Sequence, residues 1–259
     1  MIATTHSHRT RRHGLAVIFL VALACTFSKQ AARGQAAAPQ SNVTAIDIVI
    51  EPDSVMIRHA EAANAKLLAA YPVGAPSQGL PNFPLDATHR PHITVIQRYA
   101  RTVDLPALYA AADNILSHSK LMSLKLEAFK YYYLPYKNVG VAGIVIRPLP
   151  ELVRLQQALA DAVAPFTVPT GTAAAYVTTP EDPDINAPTR DYVENFVPRQ
   201  MGANYNPHVT TGVGTQANLN KLLAEKFDSF TFSPAGAAVY QLGNNGTARK
   251  LLKALKVAP

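Results

Sequence analysis

Cysteine is almost missing from this chain: its one copy is Cys25. That residue falls in an amino-terminal segment that reads as removable, so neither a disulfide framework nor a cysteine nucleophile is expected of the remainder. Charge is sparse as well, at 16% of the 259 residues against 48% hydrophobic. That composition is enough for a sizeable core in one large domain or two lobes. No acidic residue precedes Asp47, whereas Arg9, Arg11 and Arg12 stand before an apolar run from Leu15 to Ala24. A basic region followed by an apolar core of ~10 residues, too short to span a bilayer, reads as a secretory signal. Gly34-Gln35-Ala36 offers a small-residue cleavage site, giving a signal over 1–36 and a mature start near Ala37; Ala22-Leu23-Ala24 is a second. Lipoprotein anchoring at Cys25 is the lesser alternative, because Ala22-Leu23-Ala24-Cys25 fits that pattern imperfectly, and Thr10-Arg11-Arg12 also resembles a twin-arginine signal. Ordinary cleavage and a soluble exported protein, periplasmic or secreted, is the expectation.

Export removes most of the positive charge. The chain carries 24 basic and 17 acidic residues, but Arg9, Arg11, Arg12, Lys29 and Arg33 precede Ala37 with no acid among them, which leaves +2. A long nucleic-acid groove therefore has no compositional support. No later apolar run reaches transmembrane length. A Walker loop, a dinucleotide-binding glycine fingerprint and a nucleophilic-serine elbow are all missing too.

What the chain does have is one stretch written twice: Pro91-His92-Ile93-Thr94-Val95 and Pro207-His208-Val209-Thr210-Thr211. Each reads as the start of a strand, with β-branched residues after a proline that a first strand position tolerates. Residues two apart in a strand share a face, so His92 projects with Thr94 and His208 with Thr210. A lone His-x-Thr is weak evidence, and His8-Arg9-Thr10 is a chance match. The longer pattern, repeated in matching surroundings, is much less easily accidental. Two such strands side by side gather two imidazoles and two hydroxyls, the equipment for acid–base chemistry on a phosphate.

The surroundings do match. From Ser41 the residues read as a strand to Ile50, then Asp53 as the cap of a helix to about Ala70 with Met56, Ala63 and Leu67 at helical spacing. A proline-marked loop over 71–90 leads to a strand at 92–98. Asp104 reads as the cap of a helix bearing Leu105, Leu108, Ala112 and Ile115, and 121–133 as a long strand. After a turn at 135–138 the order repeats. It runs through a strand at 139–147, a helix from Pro150 with Leu152, Leu155, Leu159 and Val163, and a loop over 165–206 in which 190–197 reads as a short helix. The second motif strand comes next at 208–213, then a helix capped by Thr215 with Leu219, Leu222, Leu223 and Phe227. Strands at 229–233 and 237–242 and a basic helix with Leu251, Leu252 and Leu255 close the chain. The reading is α+β. Two pseudo-symmetric lobes, roughly 44–134 and 139–259, would each be a small antiparallel-rich sheet with helices on one face, with a cleft between them.

With both motifs in place the chain resembles the two-histidine (2H) phosphoesterase superfamily, including the bacterial 2'-5' RNA ligase-like and cyclic phosphodiesterase proteins. The resemblance covers nearly all of the chain after the signal. It implies a bilobal fold and a site that needs neither metal nor cofactor. His92 and His208 would be the acid–base pair, with Thr94 and Thr210 holding phosphate oxygens. The substrate would be a 2',3'-cyclic phosphate or 2'-5' phosphodiester of a small nucleotide or oligonucleotide end, hydrolysed or religated, by a monomer. A noncatalytic phosphate- or nucleotide-binding protein on the same fold is the first alternative. A metal hydrolase using His89, His92 and His208 is the second. His59 and His118 read as surface or boundary residues. Tyr131, Tyr132, Tyr133 and Tyr136 read as strand-face packing before base stacking, and Arg90, Arg98 and Arg199 as solvated surface before phosphate attraction. The 165–206 loop is either a specificity wall or a surface insertion.

Overall fold

The computed structural model describes residues 42–74, 80–180 and 182–258; the expected signal at 1–36 lies outside them. Thr44 to Ile50 is apolar apart from Thr44 itself and Asp47, and it becomes β1 (Val43–Pro52), buried from Thr44 to Ile50. Alternation assigns its faces: Ile46, Ile48 and Ile50 join the main core, while Val49 packs in a separate cluster with Tyr240. Asp53 ends the strand and caps α1 (Ser54–Ala70), accepting from the amides of Val55 and Met56, a contact worth about 1 kcal/mol. Met56 and Ala60 carry α1 into the same core as the isoleucines.

The remaining elements are β2 (Ile93–Arg101), α2 (Leu105–Ser117), β3 (Leu126–Tyr136), β4 (Val139–Ile146), α3 (Pro150–Val163) and β5 (Thr167–Val168). They continue with α4 (Ala187–Glu194), α5 (Phe196–Gln200), β6 (His208–Thr215), α6 (Gln216–Ala224), β7 (Phe230–Phe232), β8 (Pro234–Leu242) and β9 (Ala248–Ala254). Eight strands form one antiparallel sheet in the order β7-β3-β4-β6-β2-β1-β8-β9, and β5 pairs the far end of β2. The two motif strands are central neighbours that touch at a single pair, Ile93 opposite Val209. About that pair the sheet is pseudo-symmetric, with β4 matching β1, β3 matching β8, and β7 matching β9. The fold is α+β, with α1, α2 and α3 packed on the face that carries Ile46, Ile48 and Ile50.

The lobes are not the sequence halves 44–134 and 139–259. Strands of each half cross over: β3 pairs with β4, and β8 pairs with β1. Each four-strand set therefore draws on both halves. A helix crosses too, since α1 packs against β6.

Four local readings also change. The expected basic helix at the end is β9, because the Gly243–Gly246 turn, with Asn245 at φ 58°, folds the chain back to pair with β8. The strand expected from Leu121 starts at Leu126, since Leu121–Ser123 is a 3-10 turn that buries Leu121. Asp104 has helical torsions and caps nothing; its carboxylate takes the Arg101 Nε–H instead. Leu223 is exposed, leaving Leu219 and Leu222 as the buried face of α6. Among the described residues no helix is long and apolar enough to cross a membrane.

Candidate active site

Both motif strands carry a β-bulge one residue after the threonine. Opposite β1, Ile48 faces Ile96 and Val49 faces Thr94, so Val95 is the extra residue. Opposite β4, Ala142 faces Gly212 and Gly143 faces Thr210, so Thr211 is extra. A bulge re-phases the pleat and re-aims the side chains beyond it. In β2 it sends Val95 and Ile96 together into the helix-side core and brings Gln97 onto the face of Thr94 and His92. In β6 it requires Gly212 at φ +128°, where a Cβ would also strike Asn64 Nδ2 at 2.9 Å and Asn82 Oδ1 at 3.0 Å.

Those two asparagines tie the motifs together. Asn64 Nδ2 donates to the carbonyls of Phe83 and Thr211, both at 2.9 Å. Asn82 Oδ1 accepts from the amides of Phe83 and Val213, and its Nδ2 donates to the Tyr71 carbonyl. The loop that delivers His92 is thereby bonded to the strand that carries His208. Both amides are buried, so removing either leaves backbone groups unsatisfied, at about 1–3 kcal/mol each.

His92, Thr94, His208 and Thr210 all line one cavity of about 240 Å³. The two imidazoles are oriented by the same device, a bond from Nδ1 to the carbonyl two residues back. His92 Nδ1 is 2.6 Å from the Arg90 oxygen and His208 Nδ1 is 2.8 Å from the Asn206 oxygen. With Nδ1–H donated to a carbonyl, each neutral ring carries its lone pair on Nε2. The proline between each carbonyl and its histidine has a fixed φ, which restrains the short segment that the bond closes.

Sequence reasoning passed over Asp47. It lies in β1 directly opposite Gln97 and is wholly buried. Its Oδ2 accepts from Thr94 Oγ1 at 2.7 Å and Gln97 Nε2 at 2.9 Å, and lies 3.5 Å from His92 Nε2. Thr94, expected to hold a phosphate oxygen, thus gives its proton to Asp47, while the Thr210 hydroxyl has no hydrogen-bond partner among the described residues. The signal for Asp47 was available: a lone carboxylate inside an apolar strand is almost never buried without a partner.

The histidines are pushed in opposite directions. Burial works against a charge on His92, but the Asp47 bond and charge, with the Arg90 carbonyl, outweigh it and raise the pKa above the ordinary value. Burial lowers that of His208, outweighing the Asn206 carbonyl; the neighbouring His92 charge adds to the lowering and the Asp47 charge opposes it. Tyr132 lies edge-on to His208 with ring centres 4.8 Å apart.

The other candidates disperse. Of the four tyrosines, Tyr132 and Tyr136 line the cavity, whereas Tyr131 packs edge-on to Phe227 and Tyr133 donates to Asn220. Arg90 pairs with Glu51 and Arg199 with Asp191. Arg98 is partly buried with no partner for its Nε among the described residues. His89 bonds the Arg249 guanidinium and Asp86, and shares a small adjoining pocket with His92 but not with His208. Among the described residues no three His, Cys, Asp or Glu side chains gather as metal ligands. His118 ends α2, bonding the Asn114 carbonyl, and His59 stacks on Phe230. The 165–206 segment supplies one wall through Asn186, Pro188, Thr189 and Tyr192. That wall is pinned to the β8–β9 turn by bonds from Asn186 to Asn244 and Asn245.

No protein-family model and no curated protein matches the chain. Solved structures similar to it include TT0787 of Thermus thermophilus, at 14% identity over 83% of this chain and 99% of that one, TM-score 0.46. E. coli LigT, in a structure with ATP, is 14% identical over 84% of this chain and 99% of its own, TM-score 0.42. A protein described as a phosphoesterase is 12% identical over 83% and 99%, TM-score 0.37.

Proposed function

We propose that this chain is a phosphodiesterase that uses His92 and His208 as an acid–base pair and needs no metal. The observation that carries the reading is the convergence of both histidines and both threonines on one cavity, each imidazole held by the carbonyl two residues behind it. One ring in its neutral form takes a proton from the attacking hydroxyl, while the other, protonated, gives one to the leaving oxygen. Water, or a ribose hydroxyl, bonds to phosphorus as the ester bond breaks. Sealing a 2'-5' bond would use the same two transfers in reverse.

The lining narrows the substrate. Among the described residues that form the cavity there is no lysine or arginine, so a protonated imidazole is the one full positive charge available. That suits the single charge of a phosphodiester better than the near-double charge of a monoester, whose second pKa is about 6, the more so with the Asp47 carboxylate 3.5 Å from His92. Leu80, Tyr132, Tyr136 and Tyr192 add apolar surface of the kind on which a base packs. A 2',3'-cyclic phosphate or a 2'-5' diester at a nucleotide or RNA end meets both conditions, and export would place the activity outside the cytoplasm.

Screening 2',3'-cyclic nucleotides, 2'-5' dinucleotides and matched monoesters in the presence of chelator tests this. Diesters are expected to turn over and monoesters not. His92→Ala and His208→Ala should each lower kcat about a hundredfold or more. A folded variant of either with near-wild-type turnover refutes the mechanism, and a preference for monoesters refutes the charge argument.

A further inference from the structure

The pseudo-symmetry of the sheet supplies a comparison inside one molecule. His92 and His208 correspond, as do Thr94 and Thr210, the bulged Val95 and Thr211, and Gln97 and Val213. Across the ladder, the residue facing Gln97 is Asp47, and the one facing Val213 is Val141. One lobe thus has a carboxylate and an amide where the other has two valines. Val213 is wholly buried, and among the described residues His208 makes no ion pair; the Asp47 charge reaches it only as the least of its influences.

From this difference we infer that Asp47 is a positioning residue that makes the histidines non-equivalent, assigning His92 as the general acid and His208 as the base. The assignment rests on the acid–base reading above. In the reaction it describes, His208 Nε2 takes the proton of the attacking hydroxyl as its oxygen bonds to phosphorus. The phosphorus–oxygen bond to the leaving group breaks, and the leaving oxygen receives the Nε2 proton of His92. The pair together has moved one proton each way, and a proton exchange with solvent resets it.

The geometry favours this order on three counts. Asp47 Oδ2 is 3.5 Å from His92 Nε2, longer than the 2.7–2.9 Å of a full charge-assisted bond. The carboxylate therefore attracts the proton without capturing it. Second, Thr94 Oγ1 and Gln97 Nε2 both donate to that same Oδ2. Together they fix the place of the carboxylate. Third, Thr94 is committed to Asp47, which leaves Thr210 as the hydroxyl able to donate to a phosphoryl oxygen, on the lobe of the base. Other groups facing His92 are Glu51 on β1, itself held by Tyr240 and Arg90, and His208 on β6. Tyr192 on α4 and Tyr205 before β6 also face Asp47, and both are kept neutral by burial. Asp47 is the one full charge among these that touches the ring. The opposite directions of the two pKa shifts agree with the assignment.

Asp47→Asn keeps an oxygen to accept from Thr94 and Gln97 while removing the charge. The experiment is a pH titration of the histidine ring signals by NMR in wild type and variant, with pH profiles of kcat on the diester found by screening. In the wild type His92 is expected to titrate above His208. In the variant the His92 titration and the basic limb should move to lower pH, with kcat above neutrality falling about tenfold or more, and the acidic limb, which the Asp47 charge touches only as the least of the influences on His208, should move less. A wild type in which His208 titrates above His92 overturns the inference without any variant. So does a folded Asp47→Asn protein with an unmoved basic limb. If the ring titrations behave as expected and no diester turns over, the assignment of Asp47 stands and the phosphodiesterase reading falls.

Discussion

Gly143 offers the sharpest test of how His208, the proposed base, is held. It lies in β4 between Tyr132 on one neighbouring strand and Thr210 on the other. A Cβ added there would sit 2.8 Å from Tyr132 Cε1, 2.9 Å from the Val209 carbonyl oxygen and 3.4 Å from His208 Cδ2. The tyrosine ring can swing, but the Val209 oxygen belongs to the backbone adjoining His208 and can retreat only if the strand does. Gly143→Ala is therefore overpacking against backbone, at about 1–3 kcal/mol. At about 2–4 °C per kcal/mol for a domain of this size, Tm should fall by roughly 2–12 °C.

The same displacement moves His208. A misplacement of about 1 Å costs on the order of a hundredfold in rate, so a shift of a few tenths of an ångström should lower kcat by about tenfold. Gly140→Ala is the matched control. Its Cβ would meet Tyr133 Cδ2 at 2.6 Å, the Leu134 oxygen at 2.9 Å and Leu219 Cδ1 at 3.0 Å. Tyr133 and Leu219 lie on the side of α6, and neither histidine is among these contacts. It should cost similar stability and leave kcat within a factor of two or so. Thermal unfolding followed by circular dichroism and steady-state kinetics on one diester decide the matter. Equal kcat losses in the two variants, or none in Gly143→Ala despite a lowered Tm, would refute the claim that this glycine seats the base.

The threonines should separate by the same logic. Thr210→Val is expected to lower kcat about tenfold to a thousandfold by removing a donor to the phosphoryl group. Thr94→Val, whose hydroxyl serves Asp47, should lower it less and shift the basic limb of the pH profile; equal losses with unmoved limbs would sink that distinction. Fractionation of expressing cells should place a chain beginning near Ala37 outside the cytoplasm, and a cytosolic protein that retains Met1 would show that the arginines and the 15–24 run are not an export signal.

Local pattern carried much of this structure. The caps at Asp53 and Thr215, the proline opening α3 and its stripe of Leu152, Leu155, Leu159 and Val163 were all legible, because each rests on neighbours in sequence. Readings failed where distant pairing decided. Leu251, Leu252 and Leu255 fit a helix by spacing, but the Asn244-Asn245-Gly246 turn, a hairpin signal in its own right, commits the segment to β8. The exchange of β3 and β8 between lobes leaves no local mark, since a strand's residues report that it is buried and not beside which partner. The bulges were equally silent. Without them the pleat sends Gln97 to the helix side, and the partner that a lone carboxylate at Asp47 calls for is not identifiable.

The two lobes show what a repeated frame must change to do unsymmetrical chemistry. A proton has to leave one side of phosphorus and arrive on the other, so two equal histidines would spend half their encounters in the wrong protonation state. The sheet keeps everything that places the rings equal: the proline, the carbonyl two residues back, the threonine and the bulge. What differs lies across the ladder. Beside His92 stand Asp47 and Gln97, with Val49 and Ala238 filling the neighbouring pair; beside His208 stand Val141 and Val213, with Gly143 and Tyr132. A charge on one side is answered by an aromatic wall on the other, and glycine stands where that wall needs room. The cost is a buried carboxylate whose Oδ1 has no partner among the described residues, a penalty on the order of 1–3 kcal/mol. A packed valine in its place, as at position 141, would avoid that penalty, so stability alone gives no reason for Asp47. Its place beside one histidine and not the other is accounted for by the inequality it creates.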